Sequence, residues 1–198
     1  MKACLIVFAG KAGTGKTTLA REVAKRLGIA YLDYDTLNQS YLEAIEERYG
    51  LGDGDRYALY RAWRDQSYRT LLDAALENIG LGIPAVVSAP FSKELRDPSY
   101  PDALFGKAGC VFPLIVFYMA PPEDMHYHMV KSRSSRRDED FIADRRRFAE
   151  SYSSEKPRWD GKYIEVLDSG DLDRNIDIAM RRAKALMEEK DGTSDNEV

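Results

Sequence analysis

The most chemically distinctive stretch of the chain is "FAGKAGTGKT", from Phe8 to Thr17, which directly follows the apolar run "ACLIV". It holds three glycines and two lysines. Glycine costs conformational entropy on folding, so a loop this rich in it indicates a need for bare backbone. The spacing is G-x-x-x-x-G-K-[ST], in which backbone N–H groups surround the phosphates of a nucleotide. The pattern therefore predicts a phosphate-binding loop, the P-loop.

The side chains that end this loop predict phosphoryl chemistry. Lys16 can reach the terminal phosphates, and the Thr17 hydroxyl can ligate Mg²⁺. The helix that follows would point its positive N-terminus at the anion. A chance match in a glycine-rich turn is the alternative, and it is disfavoured because a strand precedes the motif and a helix follows it. We expect ATP to be held by Gly10, Ala12, Gly13, Thr14, Gly15, Lys16, Thr17 and Thr18.

Two carboxylates end the second apolar run, "IAYLDYD", at Asp33 and Asp35. Alternation along a strand would place both on the same side of the chain. One could hold Mg²⁺ through water, and the other could accept the proton of a hydroxyl that attacks the γ-phosphate. The alternative is an acid-rich turn that caps the next helix, with Asp35 as the N-cap before Thr36.

A basic segment, "KSRSSRRD", interrupts the apolar pattern of a later helix. Arginines on a movable segment that closes over ATP would stabilise the charge of phosphoryl transfer and exclude water. Arg133 and Arg137 are the favoured candidates. The alternative is a solvated helix face, which is how we interpret the second basic stretch, "DRRRF".

Apolar strands alternate with helical segments along the chain, which predicts an α/β fold with a parallel sheet and helices on both faces. Ligands bind such sheets at the carboxyl ends of the strands, where the glycine-rich loop lies. A three-layer fold with a five-stranded parallel sheet is expected. The predicted strands cover residues 3–9, 29–35, 84–90, 113–119 and 163–169, and the predicted helices include the region 36–80 and the segment 171–189.

The chain length of 198 residues predicts one domain, over 1–189, followed by a flexible tail at 190–198. The formal net charge of -4 argues against a general nucleic-acid partner. We find no segment long enough to span a membrane, and we expect a cytoplasmic monomer or homodimer.

The cysteines and histidines predict neither disulfides nor a metal site. Cys4 and Cys110 are far apart, and we expect two reduced thiols. His126 and His128 have a spacing that does not place them on one helix face, and no cysteine is near. A surface or lid position is expected for both histidines.

Four stretches together carry a family resemblance: "GKAGTGKTT", "YLDYDTL", "TLLDAALENIGLGIPAVVSAPFSKELRD" and "RSSRRD". The chain resembles the small P-loop kinases of the gluconate and shikimate kinase, chloramphenicol phosphotransferase and zeta-toxin group. It most resembles ATP-binding proteins placed among the AAA-type small kinases. The similarity runs from the first strand to about Ser169. It implies an adenylate-kinase-like fold with a short lid, here at 131–138.

The resemblance also implies roles for individual residues. An acid after the second strand contacts the substrate hydroxyl as the base, which falls on Asp35, and the preceding acid, Asp33, would lie near Mg²⁺. The lid arginines fall on Arg133 and Arg137. The element at 36–80 would form much of the acceptor pocket. The acceptor-binding patterns of the shikimate and gluconate kinases are not matched cleanly here, so neither substrate transfers.

The region around the third strand offers candidate acceptor contacts. Ser88, Phe91 and Lys93 belong to "SAPFSKE", where an acceptor would lie, and a tight proline turn with a surface lysine is the alternative. Arg64 turned inward would favour an acidic or phosphorylated acceptor.

Together these patterns predict ATP- and Mg²⁺-dependent phosphorylation of a small-molecule hydroxyl. A GTPase is disfavoured because no N-K-x-D stretch is present. Two alternatives stay open. One is an ATP-binding or ATP-hydrolysing regulatory protein with no acceptor, and the other is a zeta-toxin-like kinase that acts on a nucleotide sugar.

Overall fold

The computed structural model describes residues 2–50, 53–133, 142–152, 156–168 and 170–188. The strands in these ranges are β1 Leu5–Gly10, β2 Ala30–Asp33, β3 Ala85–Ser88, β4 Leu114–Met119 and β5 Ile164–Leu167. The helices are α1 Lys16–Leu27, α2 Tyr34–Tyr49, α3 Asp53–Ala62, α4 Arg64–Gly80, α5 Tyr100–Ala108, α6 Glu123–Ser132, α7 Arg145–Tyr152 and α8 Leu172–Glu188. Short 3-10 helices lie at Glu94–Arg96 and Gly161–Tyr163.

The five strands form one parallel sheet in the order β2-β3-β1-β4-β5. This confirms the predicted α/β fold. Phe8 of β1 pairs with Ser88 of β3, and Gly10 of β1 pairs with Met119 of β4. The glycine-rich loop therefore leaves the middle of the sheet, between the ends of two neighbouring strands.

The core divides into two layers because side chains alternate along β1. Leu5 and Val7 pack into the layer that contains α4, whereas Ile6 and Phe8 pack into the layer that contains α1 and α8. Phe8 stacks on Phe117 of β4 with ring centroids 5.0 Å apart. A continuous apolar strand is typical of a parallel sheet covered on both faces. The loop is thus anchored on a strand that is buried throughout.

Both cysteines are free, as predicted. Cys4 is buried beside β1, and burial raises the pKa of its thiol to about 12. Cys110 is exposed. In the described ranges, no helix combines the length and the apolarity needed to cross a membrane.

The second strand is shorter than predicted, and this changes the placement of the acids. β2 ends at Asp33, and Asp35 lies in the first turn of α2. The Asp33 side chain is the N-cap of this helix and accepts a hydrogen bond from the Thr36 N–H at 3.0 Å. Capping by Asp33 starts α2 at Tyr34, two residues before the predicted start at residue 36. The alternation argument for the two acids was therefore wrong, as was the alternative that Asp35 is the N-cap.

A half-buried ion pair ties the segment after β3 to α4. The Arg64 guanidinium donates to both carboxylate oxygens of Glu94, at 2.9 and 2.7 Å. It also lies over the Tyr68 ring, 4.1 Å from its centroid. Burial alone would lower the pKa of Arg64, but its hydrogen bond to Glu94 and the charge interactions with Tyr68 and Glu94 together outweigh burial, and the pKa is raised. The indole N–H of Trp159 donates to the Glu94 carbonyl at 2.9 Å, so this short segment is fixed from two sides.

We expect Glu94→Gln to lower the free energy of unfolding by about 3 kcal/mol, because it leaves the Arg64 charge without its carboxylate. The Glu94 side chain is 5% exposed and that of Arg64 is 22% exposed, so water can replace the lost carboxylate only in part. Urea unfolding measures the change. Asp65→Asn is the matched control, since Asp65 is 70% exposed where it meets Arg64 and Lys93. Equal urea midpoints for the two variants would contradict the role of this ion pair.

Candidate active site

The glycine-rich loop is pressed against its neighbours so closely that two of its residues admit no side chain. Gly10 has φ +144°, and a Cβ there would lie 2.7 Å from the carbonyl oxygen of Met119. Gly13 has φ +78°, and a Cβ there would lie 2.5 Å from Cγ2 of Val130 in α6. α1 begins at Lys16, so its first free N–H groups face the loop. Bare backbone and a helix N-terminus are what a polyphosphate site requires.

The loop also holds its own side chains in place. The Lys16 ammonium donates to the Lys11 carbonyl at 3.3 Å, which keeps it folded across the loop. The Thr14 hydroxyl donates to the same carbonyl at 2.9 Å and is buried. Thr14 can therefore offer a ligand its backbone N–H, but its hydroxyl is committed to the loop. Thr18 is exposed at the start of α1, and the carbonyl of Ala12 accepts a hydrogen bond from α6.

Polar side chains meet at the carboxyl ends of β2 and β3. The hydroxyls of Thr17 and Ser88 lie 3.4 Å apart. Asp33 pairs in register with Ser88 and is 6% exposed. The Tyr31 hydroxyl donates to Oδ2 of Asp33 at 3.1 Å. Burial, together with the Asp33 charge, raises the pKa of Tyr31 to about 12, so it stays a donor at neutral pH.

This oxygen set fits a magnesium ion that a bound nucleotide brings with it. Mg²⁺ usually takes one or two protein oxygens and completes its shell with phosphate oxygens and water. Thr17 and Asp33, with Ser88 between them, can supply that number. Among the residues that the structure describes, no group of three or more His, Cys, Asp or Glu side chains could hold a metal by itself. The described residues thus offer a partial shell rather than a closed cage.

Asp35 stands apart from this cluster. It is exposed in the first turn of α2, two residues beyond the end of β2. Within the described part of the chain, its carboxylate makes no hydrogen bond and no ion pair. An uncommitted carboxylate at this edge of the sheet is available to a substrate hydroxyl.

Of the two arginines expected in the lid, the structure describes Arg133 and does not describe Arg137. Arg133 directly follows α6, and its Nη1 lies 3.4 Å from the position a Cβ would take at Gly13. The structure therefore brings Arg133 to the phosphate loop. Arg137 lies outside the described residues, as does most of the expected lid at 131–138.

His126 is a functional candidate that the sequence did not reveal. It is 3% exposed, so the expected surface or lid position was wrong for it, whereas His128 is exposed. Its Nε2 lies 2.8 Å from the Ala12 carbonyl oxygen, and its ring packs edge-on against Phe148. Since a carbonyl only accepts, Nε2 carries the proton. His126 shares the buried face of α6 with Val130, four residues on, and this spacing was the available signal.

We expect the histidine that braces the loop to make stability pH-dependent. Burial, aided by the positive charge of nearby Lys16, lowers the pKa of His126. The folded state then binds fewer protons than the unfolded state once the pH falls below about 6.5. Stability due to this group is complete above that pH and is lost as the pH falls through the folded pKa.

Urea unfolding between pH 8 and pH 5 measures this loss. His126→Gln keeps an amide donor for Ala12 and should flatten the pH response. His128→Gln, the exposed histidine two residues on, should keep the wild-type response. A wild-type slope in His126→Gln would show that other groups set the acid limit.

The three candidate acceptor contacts at and after the end of β3 have different surroundings. The Phe91 side chain is fully buried, with φ +52° and its N–H donating to the Tyr68 hydroxyl at 2.7 Å. Lys93 is exposed and pairs with Asp65 at 3.2 Å. Ser88 faces Thr17, so it belongs to the magnesium side. The residues of this segment that line the cavity beside the loop are Pro90, Ser92, Leu95 and Arg96.

Comparison with known protein families gives one broad match. A family model described as "AAA domain" matches residues 5–157, which is more than half of the chain and includes the glycine-rich loop. A curated relative, a probable gluconokinase of Schizosaccharomyces pombe, is 37% identical over 54 residues. That match covers 27% of this chain and 28% of the relative, so the chain aligns with less than a third of that protein's length.

Solved structures share the fold over nearly the whole chain. A gluconokinase from Sinorhizobium meliloti has a TM-score of 0.56 at 21% identity, covering 92% of this chain and 93% of its own. A protein from Chloroflexus aurantiacus has a TM-score of 0.61 at 17% identity, covering 94% of this chain and 99% of its own. At these identities the likeness concerns the fold. Together with the family match, it confirms the resemblance to small P-loop kinases stated from the sequence.

Proposed function

Because the chain belongs to the AAA domain family, we propose that it is an ATP-dependent phosphotransferase that moves the γ-phosphoryl group to a hydroxyl of a small molecule. One observation carries the proposal. A bare-backbone loop with its lysine folded across it shares one sheet edge with the exposed Asp35 carboxylate and a small cavity. The curated relative named as a gluconokinase supports a phosphotransferase that acts on a small hydroxyl compound.

The loop, the carboxylate and the arginines have different tasks in this reaction. The loop N–H groups and Lys16 hold the β- and γ-phosphates. Asp35 orients the acceptor hydroxyl and takes its proton as the new oxygen–phosphorus bond forms. The bond from the γ-phosphorus to the bridging oxygen breaks, and ADP leaves with that electron pair. Arg133 lies beside the loop, where it can stabilise charge on the transferring group, and we assign the same task to Arg137.

Thr17 and Asp33 would hold Mg²⁺, Thr17 directly and Asp33 through water. Bound there, the ion supplies positive charge that neutralises the β- and γ-phosphate oxygens. The N-cap hydrogen bonds of Asp33 and the Tyr31 hydroxyl keep its carboxylate fixed in orientation. The protein therefore needs no rearrangement of this carboxylate before transfer.

A metabolite screen with γ-labelled ATP and Mg²⁺ tests the proposal. We expect label to move to at least one hydroxyl compound in the wild type. If label appears only as inorganic phosphate whatever compound is added, the protein is an ATP-hydrolysing protein without an acceptor. Transfer confined to a nucleotide sugar would instead favour the zeta-toxin-like alternative.

A further inference from the structure

One residue beside the candidate site has a backbone conformation that its side chain disfavours. Phe91, three residues after the end of β3, has φ +52°, and in the described residues every other positive φ belongs to a glycine. A bulky residue in this left-handed region is strained, because its Cβ comes close to a backbone carbonyl oxygen. Such strain persists only where the surroundings hold the backbone in place, and it is concentrated at functional sites.

The buried side chain of Tyr68, in α4, holds this turn. Its hydroxyl accepts a hydrogen bond from the Phe91 N–H at 2.7 Å. The two rings pack edge to face with centroids 5.4 Å apart, and both side chains are buried. A buried N–H needs an acceptor, so loss of the Tyr68 hydroxyl would leave the turn with an unsatisfied donor.

The turn at Phe91 determines how the segment 92–96 lies between the phosphate loop and α4. Ser92 and Leu95 line the cavity beside the loop, whereas the Glu94 carboxylate pairs with Arg64 at the start of α4. The Leu95 N–H donates to the Phe91 carbonyl at 3.0 Å, so this segment is built on Phe91 itself. The direction of the backbone at Phe91 therefore decides which side chains face the loop.

Tyr68 also contacts the helix that carries the candidate base. Its ring centroid lies 4.9 Å from that of Tyr34, the first residue of α2, which stands between Asp33 and Asp35 in the chain. One side chain thus contacts both the start of α2 and the turn after β3. These are the two parts of the site that face an acceptor.

The phosphate loop is held by contacts that precede or avoid the turn. The Gly10 N–H donates to the Pro90 carbonyl at 3.3 Å, and Pro90 comes before Phe91 in the chain. The Ala12 carbonyl accepts its hydrogen bond from His126 of α6. A change at Tyr68 should therefore reach the acceptor side of the site and spare the nucleotide side.

We propose that Tyr68 is a positioning residue for phosphoryl transfer, which holds the left-handed turn at Phe91 and packs on Tyr34 so that the acceptor side of the site is correctly placed against the phosphate loop. The inference rests on the proposed function, because it concerns the geometry of that reaction. Tyr68 acts through these two neighbours and not on the reacting atoms.

Tyr68→Phe tests the proposal, because it removes the hydroxyl and keeps the ring. We expect kcat/KM for the compound that takes label in the γ-labelled ATP screen to fall about tenfold or more, since a misplacement of about 1 Å can cost a hundredfold in rate. Calorimetry with Mg²⁺ and the non-hydrolysable analogue AMP-PNP should give the wild-type Kd. The control is Tyr100→Phe in α5, the same change at a half-buried tyrosine whose hydroxyl makes no hydrogen bond with the described residues. It should match the wild type in both measurements.

Trp159 reports the position of the segment without any substrate. It is buried, and its indole N–H donates to the Glu94 carbonyl at 2.9 Å. The chain has one other tryptophan, Trp63, which is replaced by phenylalanine in every protein compared. We expect acrylamide to quench Trp159 fluorescence more strongly in Tyr68→Phe than in the parent. Tyr100→Phe should leave the quenching unchanged, although the Tyr100 ring stacks on the indole.

Two substitutions at Phe91 test the turn itself and do not depend on how well Tyr68→Phe folds. Phe91→Gly and Phe91→Ala remove the same buried ring, but only glycine adopts the observed φ without a steric penalty. We expect the acceptor kcat/KM of Phe91→Gly to be severalfold higher than that of Phe91→Ala.

The outcomes separate this inference from the proposed function. A wild-type kcat/KM in Tyr68→Phe, or equal values in the two Phe91 variants, overturns the positioning role while the phosphotransferase assignment stands. Weaker binding of AMP-PNP by Tyr68→Phe also overturns it, because Tyr68 would then support the nucleotide. If no compound takes label from the wild type, the phosphotransferase assignment fails. Unchanged quenching of Trp159 in Tyr68→Phe would show, whatever the reaction, that Tyr68 does not hold the segment.

Discussion

Lys16→Ala is expected to lower kcat/KM for phosphoryl transfer by about a thousandfold, as removal of one preorganised charge at a reacting centre does in other enzymes. The wild-type ammonium is held across the loop by the Lys11 carbonyl at 3.3 Å. Its position across the loop is therefore largely fixed before a nucleotide binds. Alanine leaves the loop amides in place, but it removes the positive charge that faces the terminal phosphates.

The matched control is Lys25→Ala, in the last turn of the same helix α1. Lys25 is exposed and far along the helix from the loop, so its loss should leave transfer unchanged. Calorimetry with Mg²⁺ and ATP on both variants separates loss of binding from loss of chemistry. Transfer by Lys16→Ala within tenfold of the wild type would remove Lys16 from the mechanism. If calorimetry detected no binding of ATP or GTP to the wild type, the chain would have no nucleotide site.

The local parts of the site could be predicted because their determinants are adjacent in sequence. An apolar run, a glycine-rich loop and an amphipathic segment follow one another, and the structure places β1 within two residues of its predicted bounds and begins α1 directly after the loop. Strand alternation failed at Asp35 because a competing local interaction, the N-cap hydrogen bond of Asp33, starts the helix early. Strand alternation and helix capping both applied to residues 33–35, and capping determined the structure.

The helical region after β2 was the least predictable part of the fold. Tyr41 and Tyr49 fit one helix face with Leu37, yet they are 69% and 74% exposed. The buried positions of α2 are Asn38 and Leu42. Large aromatic side chains satisfy a periodic pattern whether they face the core or the solvent. The pattern therefore could not identify the buried face without the position of α4.

The long-range parts of the site could not be predicted from any local pattern. His126 contacts the carbonyl of Ala12, which is 114 residues away in sequence. Lys11, Arg96 and Lys156 meet in one cavity from three separate segments. Such convergence follows from the strand order, which places the ends of β3 and β4 on either side of β1. No spacing within the sequence records that order.

Asp35→Asn is expected to lower kcat by about a hundredfold or more, the usual contribution of a general base. The carboxylate is exposed and makes no hydrogen bond or ion pair with the described residues, so the substitution removes no structural contact. Folding and the KM for ATP should therefore stay as in the wild type. Asparagine keeps the size of the side chain and can still orient a hydroxyl, but it cannot accept the proton.

Asp33→Asn serves as the comparison for Asp35→Asn. It removes the charge of the other acid, and we expect it to change the Mg²⁺ dependence of transfer. Asparagine is as good an N-cap as aspartate and can still accept the Thr36 N–H, so α2 should fold. The lost negative charge should raise the Mg²⁺ concentration needed for half-maximal transfer, and Asp35→Asn should leave that concentration unchanged. The same Mg²⁺ dependence for both variants would contradict the separate roles of the two acids, Asp33 at Mg²⁺ and Asp35 at the acceptor.

An Asp35→Asn variant that turned over at the wild-type rate would remove Asp35 as the base. The proton of the acceptor would then have to go to water or to the phosphoryl group, since Asp33 is buried and committed to its three hydrogen bonds.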